Sequence, residues 1–168
     1  MAKVAFLLAD VFEDSEFQQP YDAVRDAGHE AVVVGKESGK QVTGKKGSKV
    51  TIDKGSTDVR ADEFDAVVVP GGYSPDKVRT DEASVAIARG VHEAGKPVAA
   101  ICHAGWVLAE ADIVRGRTVT SVASIRTDLK NAGATWVDQE VVEDGNLITS
   151  RTPDDLPAFC AALLKQLP

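Results

Sequence analysis

The sequence predicts a single α/β sandwich domain built on a mainly parallel sheet. Three observations carry that prediction. Residues 4–9, 30–34, 65–69 and 98–101 are short apolar runs of strand length. Segments with helical spacing of apolar residues separate them, and Gly28, Gly35, Gly95 and Pro97 punctuate the boundaries. A chain of 168 residues suffices for one domain with a proper core.

In chain order, residues 4–9 read as the first buried strand, followed by a polar turn at 10–14. Residues 15–27 read as a helix that Gly28 stops, and residues 30–34 as the second strand. This strand–helix–strand rhythm predicts a parallel pair joined by a right-handed crossover. Residues 41–52 alternate across the basic, glycine-flanked tip Gly44-Lys45-Lys46-Gly47, the pattern of a small hairpin with a solvated turn. Residues 65–69 form the next strand, and Pro70-Gly71-Gly72 follows at its C-terminal end, where open α/β sheets bind ligands. A helix over 81–94 buries Val85, Ile87, Ala88 and Val91.

Beyond the central stretch, 116–120 suggests a short strand and 125–132 a helix. Residues 140–142 and 147–149 flank Asp144-Gly145-Asn146 as a hairpin. Thr152-Pro153-Asp154-Asp155 announces a last helix with a capping hydroxyl and Pro in the first turn. Leu156, Phe159, Cys160, Leu163, Leu164 and Leu167 recur at helical spacing, so Cys160 is expected to serve packing rather than chemistry.

The composition is that of a soluble globular domain, 43% hydrophobic and 27% charged. A net charge of −7 argues against nucleic acid as a partner. No apolar run approaches a membrane span and no charged-then-apolar leader precedes Val4, so a cytoplasmic location without membrane attachment is expected. Two cysteines make neither a disulfide framework nor, with only His103 adjoining Cys102, a metal site. No G-x-G-x-x-G pattern supports a dinucleotide, and no cofactor is expected.

Chemistry concentrates in Lys96-Pro97-Val98-Ala99-Ala100-Ile101-Cys102-His103-Ala104-Gly105-Trp106. A buried strand runs into Cys102, and residues 104–111 read as a helix. A cysteine at such a turn stands at the positive end of the helix, which favours thiolate over thiol. This is the arrangement of a nucleophile elbow built on sulfur. A triad histidine later in the chain is excluded, because no histidine follows His103. His29 and His92 are expected on the surface. The groups left to activate Cys102 are His103 and a carboxylate from the turn after the first strand, where Glu13, Asp14 and Glu16 cluster. Glu13 and Asp14 also suit the charge of a helix N-terminus. Glu16 lies one turn further in and, kept protonated by burial, could hydrogen-bond the sulfur.

Phe12-Glu13-Asp14-Ser15-Glu16, Pro70-Gly71-Gly72, Ala100-Ile101-Cys102-His103-Ala104-Gly105 and Ser150-Arg151-Thr152-Pro153-Asp154-Asp155-Leu156 resemble the PfpI family of intracellular proteases. That family lies in the glutamine-amidotransferase-like superfamily of the parkinsonism-associated deglycase. The resemblance spans the whole chain. It implies a flavodoxin-like three-layer sandwich that assembles as a homodimer or higher homo-oligomer. It implies Cys102 as nucleophile, Glu16 as the acid bonded to its sulfur, and Gly71 and Gly72 as N–H donors to an oxyanion. It also implies a carboxylate from a neighbouring subunit that orients His103; the matching residue is Asp76, one methylene shorter than the family's Glu. Glu13 is a secondary candidate.

Three activities are consistent with that resemblance. The leading one is a cofactor-free, stress-related enzyme in which Cys102 attacks reactive carbonyls such as methylglyoxal or its adducts, as a glyoxalase or deglycase. The second is an intracellular cysteine peptidase of small peptides. The third is a non-enzymatic redox sensor or chaperone that works through oxidation of Cys102.

Overall fold

A computed structural model describes all residues, Met1–Pro168. The chain runs through β1 (Lys3–Leu7), α1 (Asp14–Asp26), β2 (Glu30–Gly35), β3 (Gln41–Thr43), β4 (Lys49–Thr51), β5 (Lys54–Gly55) and β6 (Ala66–Val69). It continues with α2 (Ser74–Val78), α3 (Glu82–Glu93), β7 (Val98–Ile101), α4 (Gly105–Glu110), β8 (Thr118–Val119), α5 (Arg126–Asn131) and β9 (Thr135–Trp136). A hairpin of β10 (Val141–Asp144) and β11 (Leu147–Ser150) precedes α6 (Leu156–Gln166).

Seven strands form the central sheet in the order β10-β11-β7-β6-β1-β2-β5. All neighbours are parallel except β10 and β11. The strands read as continuous apolar runs because both faces are covered. On β1, Val4 and Phe6 pack with Phe17 and Val24 of α1 and with Leu156, Phe159 and Leu163 of α6. Ala5 and Leu7 face the other way, toward Val85, Ala88 and Val91 of α3 and Val107 and Leu108 of α4. The alternation persists on β7, where Val98 and Ala100 take one side and Ala99 and Ile101 the other. This is the three-layer α/β sandwich of the flavodoxin type, and no helix is long and apolar enough to cross a membrane.

The expected elements form within a residue or two of their predicted ends, and the 41–52 hairpin is present as β3 and β4. The very short strands β5 and β9 and the short helix α2 were not anticipated. At the last helix the expected cap is replaced by another device. The Thr152 hydroxyl makes no capping bond. Instead the buried Asp155 carboxylate accepts the Arg151 N–H (2.9 Å), its Nε–H (2.9 Å) and a terminal guanidinium N–H (3.0 Å). Burial pushes the Asp155 carboxyl up, but these bonds outweigh it and hold the pKa below the usual value. The stabilisation is therefore present above the ordinary carboxylate pKa and lost as pH falls through the lowered one. Asp155→Asn is expected to cost about 1–3 kcal/mol at neutral pH. Urea unfolding should show that loss shrinking as the solution is acidified.

His29 and His92 are half-buried rather than on the surface. His29 accepts the Ala2 N–H at 2.8 Å, and His92 Nε2 lies 3.3 Å from the Arg117 guanidinium. Their polar neighbours come from distant segments, which local pattern does not register.

Candidate active site

The chain reverses direction in the sheet between β1 and β6: β2 and β5 extend one way, β6, β7 and β11 the other. The C-terminal ends at such a reversal open a crevice. Three adjacent strands deliver the predicted residues to it. The turn after β1 carries Glu13 and the first turn of α1 carries Glu16, Gly71 and Gly72 follow β6, and Cys102 follows β7. The first strand and the elbow strand are not neighbours; β6 lies between them, and its glycine turn is the bridge.

Cys102 has φ of +63°, in the left-handed region that a residue with a side chain seldom occupies. The strained turn lifts the thiol out of the strand line, as a nucleophile elbow requires. The turn is a single 3-10 turn, Cys102–Ala104, before α4 begins. Val11, in the loop after β1, is also left-handed at φ +63°. Its carbonyl accepts the Tyr73 N–H at 2.8 Å, and Glu13 N–H donates to the Gly71 carbonyl at 3.1 Å. Those two bonds clip the loop after β1 to the glycine turn.

Glu16 is 0% exposed, and its Oε1 accepts the Gly71 N–H at 2.9 Å. Burial first, and then the charge of Glu13, raises its pKa to about 8. Glu16 is therefore a neutral acid at pH 7, with the Cys102 thiol beside it. The thiol is pushed up to about 12 by burial and by the Glu16 charge, against the pull of the His103 and Gly72 N–H groups and of Lys45. The helix-end effect expected to favour thiolate is present in the His103 N–H, but burial outweighs it. A resting thiol, not a resting thiolate, occupies the elbow.

The two glycines do different work. Gly71 N–H is committed to Glu16 and is not free for an oxyanion. Gly72 N–H faces the sulfur together with the His103 N–H, so those two can meet a developing oxyanion. Of the expected Gly71–Gly72 pair, Gly71 N–H is engaged by Glu16, while Gly72 N–H lies beside the sulfur with the His103 N–H.

Neighbouring side chains at a turn ordinarily diverge, yet His103 Nδ1 lies 3.5 Å from the Cys102 sulfur. Burial and Lys45 lower the His103 pKa, leaving a neutral imidazole at pH 7. Its Nε2 is 3.3 Å from the Ser124 hydroxyl, and its ring packs 5.1 Å from Trp106. No carboxylate of the same chain bonds it. Asp76 lies exposed in the first turn of α2.

Glu13 caps α1, with Oε2 accepting the Ser15 N–H (3.2 Å) and hydroxyl (2.9 Å). Burial raises its pKa, but the Ser15 bonds and Lys46 bring it below the usual value, so it is a carboxylate. Glu13, Glu16, Gly72, Cys102 and His103 line one cleft of about 140 Å³, completed by Lys45, Tyr73 and Pro153. A larger cavity of about 280 Å³, beside the ends of β1 and β2, holds Asp10, Lys36, Lys77 and Asp81 but no cysteine or histidine.

Sequence reasoning missed Lys45, Tyr73, Ser124 and Pro153. The hairpin tip that carries Lys45 is not a free turn. Asp14 accepts the Lys46 and Ser48 N–H groups at 2.9 Å each, docking the tip on the start of α1. A basic tip and an acidic helix start of opposite sign were a signal in the sequence, but nothing local said that they meet.

The DJ-1/PfpI family model matches residues 2–166. The chain is 53% identical over 167 residues to an Escherichia coli protein named protein/nucleic acid deglycase 2, covering 98% of this chain and 97% of that one. It is 46% identical over 165 residues to the Pyrococcus furiosus protein named deglycase PfpI, covering 98% and 99%. The crystal structure of Drosophila melanogaster DJ-1beta superimposes with a TM-score of 0.92 at 32% identity, covering 99% of this chain and 90% of that one. With the family pattern running almost from end to end and the same sheet beneath the cysteine elbow, this chain belongs to the DJ-1/PfpI family.

Proposed function

We propose that the protein is a cofactor-free enzyme that uses Cys102 to attack small reactive carbonyls, converting methylglyoxal or its adducts to lactate. The observation that carries this reading is the buried, neutral Glu16 beside the Cys102 thiol, with a neutral His103 3.5 Å from the sulfur, in a cleft of about 140 Å³. Such a cleft is well below the size of sites that enclose drug-sized ligands. The deglycase names of the two relatives support the same class of chemistry.

In this reading the sulfur adds to the aldehyde carbon while the thiol proton passes to His103 Nδ1. The carbonyl π bond opens, and the new oxyanion accepts the Gly72 and His103 N–H groups. Glu16 or protonated His103 then supplies the proton that completes a hemithioacetal. Proton transfer between the two carbon atoms, using the same groups, gives a lactoyl thioester. Water cleaves the thioester, releasing lactate and the thiol. For an amine or thiol adduct, the original C–N or C–S bond breaks and the amine or thiol leaves.

The test follows methylglyoxal loss and lactate appearance with purified protein. Cys102→Ser is expected to lower turnover by at least about 10³-fold. Equal turnover by that variant would sink the reading.

A peptidase is the second reading, favoured by the Cys102–His103 contact at 3.5 Å. It needs a third group to orient the imidazole, and within one chain Ser124 is the partner on that side. Cleavage of unblocked peptides that survives in Cys102→Ser would remove it.

A further inference from the structure

Lys45 belongs to the β3–β4 hairpin, yet its side chain lines the cleft around Cys102. Its backbone start is held on several sides. Lys45 N–H donates to the Phe12 carbonyl at 2.8 Å, and Gly44 N–H to the Ser48 carbonyl at 2.7 Å. The Asp14 carboxylate grips the tip from below and leaves no room for a side chain at Gly44, where a Cβ would meet Asp14 Oδ1 at 2.6 Å. The Lys45 side chain therefore extends from a backbone fixed on several sides.

The charges around it are unevenly engaged. Glu13 is the one carboxylate of the cleft that is ionised at pH 7, since Glu16 is held neutral. Its Oε2 is bonded twice by Ser15, and its Oε1 lies 3.4 Å from Lys46 Nζ but 4.0 Å from Lys45 Nζ. Lys46 is 72% exposed and does not line the cleft, whereas Lys45 lines it, is 42% exposed and sits 5.8 Å from the Tyr73 ring. His103 is neutral as well. Lys45 is thus the cation that a molecule entering beside Cys102 meets.

We propose that Lys45 determines the charge class of the electrophile admitted to Cys102, selecting small carbonyl compounds that carry a carboxylate. The carbonyl part of this inference rests on the function proposed above; the charge preference stands on the cleft alone. With glyoxylate as the simplest probe, the Cys102 sulfur bonds the aldehyde carbon and the C=O π bond opens. The thiol proton moves through His103 to the new hydroxyl. The carboxylate is chemically unchanged and lies against the Lys45 ammonium.

The experiment needs no turnover. Cys102 of the intact protein is alkylated with iodoacetate and, separately, with iodoacetamide, and the rate is read from the mass of the Cys102 peptide. Both reagents form the same S–CH₂ bond and expel iodide, and they differ in charge. The iodoacetate-to-iodoacetamide rate ratio is expected to fall about tenfold in Lys45→Gln, the scale of one charge contact in a part-hydrated cleft. Lys45→Arg should keep the ratio of the unsubstituted protein. Raising salt from about 0.05 M to about 0.5 M should lower the ratio in the unsubstituted protein but not in Lys45→Gln. A ratio unchanged in Lys45→Gln, or both reagents slowed alike, would overturn the proposal.

A second arm decides the carbonyl class. Glyoxylate should protect Cys102 from iodoacetamide at lower concentration than methylglyoxal does, and lose that advantage in Lys45→Gln. Equal protection by the two compounds in the unsubstituted protein would overturn the carboxylate preference among carbonyls. A protein inert toward methylglyoxal that still shows the charge-dependent alkylation would refute the proposed turnover while bearing out selection by Lys45.

Discussion

Glu16→Gln is expected to make the protein more stable at neutral pH while removing most of its carbonyl turnover. The carboxyl is held protonated in the fold up to about pH 8, whereas an unfolded chain releases that proton near the ordinary glutamate pKa of about 4.5. Between those two values the native state binds a proton that the unfolded state lacks, so stability falls as pH rises through this window. Below it both states are protonated, and above it both are ionised and the penalty is constant.

Glutamine is neutral in both states and keeps an oxygen for the Gly71 N–H. It should therefore recover part of the penalty, about 1–3 kcal/mol at pH 7 after the demand of the buried amide is met. For a chain of this size that is a rise in Tm of roughly 3–9 °C. The gain should be near zero around pH 4.5, grow up to about pH 8 and then level off. Thermal unfolding of both proteins across that range reads it directly. A gain independent of pH, or a loss, would refute the assignment of a buried neutral acid. Turnover by the unsubstituted protein should fall above about pH 8 as the acid ionises, with the Glu16→Gln variant slow throughout.

Gly72→Ala should damage the fold itself. Gly72 has φ of +84°, and a Cβ there would stand 2.5 Å from the Glu13 nitrogen, 2.7 Å from the Val11 carbonyl oxygen and 2.8 Å from the Phe12 carbonyl carbon. All three are backbone atoms of the loop after β1, fixed by the Glu13 N–H to Gly71 carbonyl bond and the Tyr73 N–H to Val11 carbonyl bond. They cannot rotate away as a side chain would. The left-handed conformation alone costs about 1–2 kcal/mol for a residue with a Cβ, and displacement of the clipped loop adds to it. A total of about 3 kcal/mol or more is expected, a fall in Tm of roughly 6 °C or beyond. Because the Gly72 N–H also faces the sulfur, Cys102 reactivity should change even in molecules that remain folded. An alanine variant with native Tm and native alkylation rate would show that the loop yields.

The two substitutions describe one design. A carboxyl that would rather be in water is held at 0% exposure, and the turn after β6, lying between β1 and β7, supplies a hydrogen bond to it. Stability is spent where the chemistry needs a neutral acid beside a thiol.

What the amino-acid order determined by itself is local. The apolar runs specified strands, the glycines at 28, 95 and 133 closed helices, and Val98 to Ile101 followed by Cys102 specified the elbow, because periodicity and turn chemistry act over a few residues. The same reading brought out Cys102, His103, Glu13, Glu16, Gly71 and Gly72, all of which lie at the C-terminal edge of the sheet.

The roles of those residues were decided by tertiary structure. Which glycine N–H is free depends on where the Glu16 oxygen ends, and that depends on β6 lying between β1 and β7. Whether Cys102 rests as thiol or thiolate depends on the balance of burial against N–H groups from two separate segments. That Lys45 joins the cleft depends on Asp14 capturing a hairpin some thirty residues further on. Each is a balance between desolvation and contacts made by segments distant in sequence, and it exists only once the chain has folded.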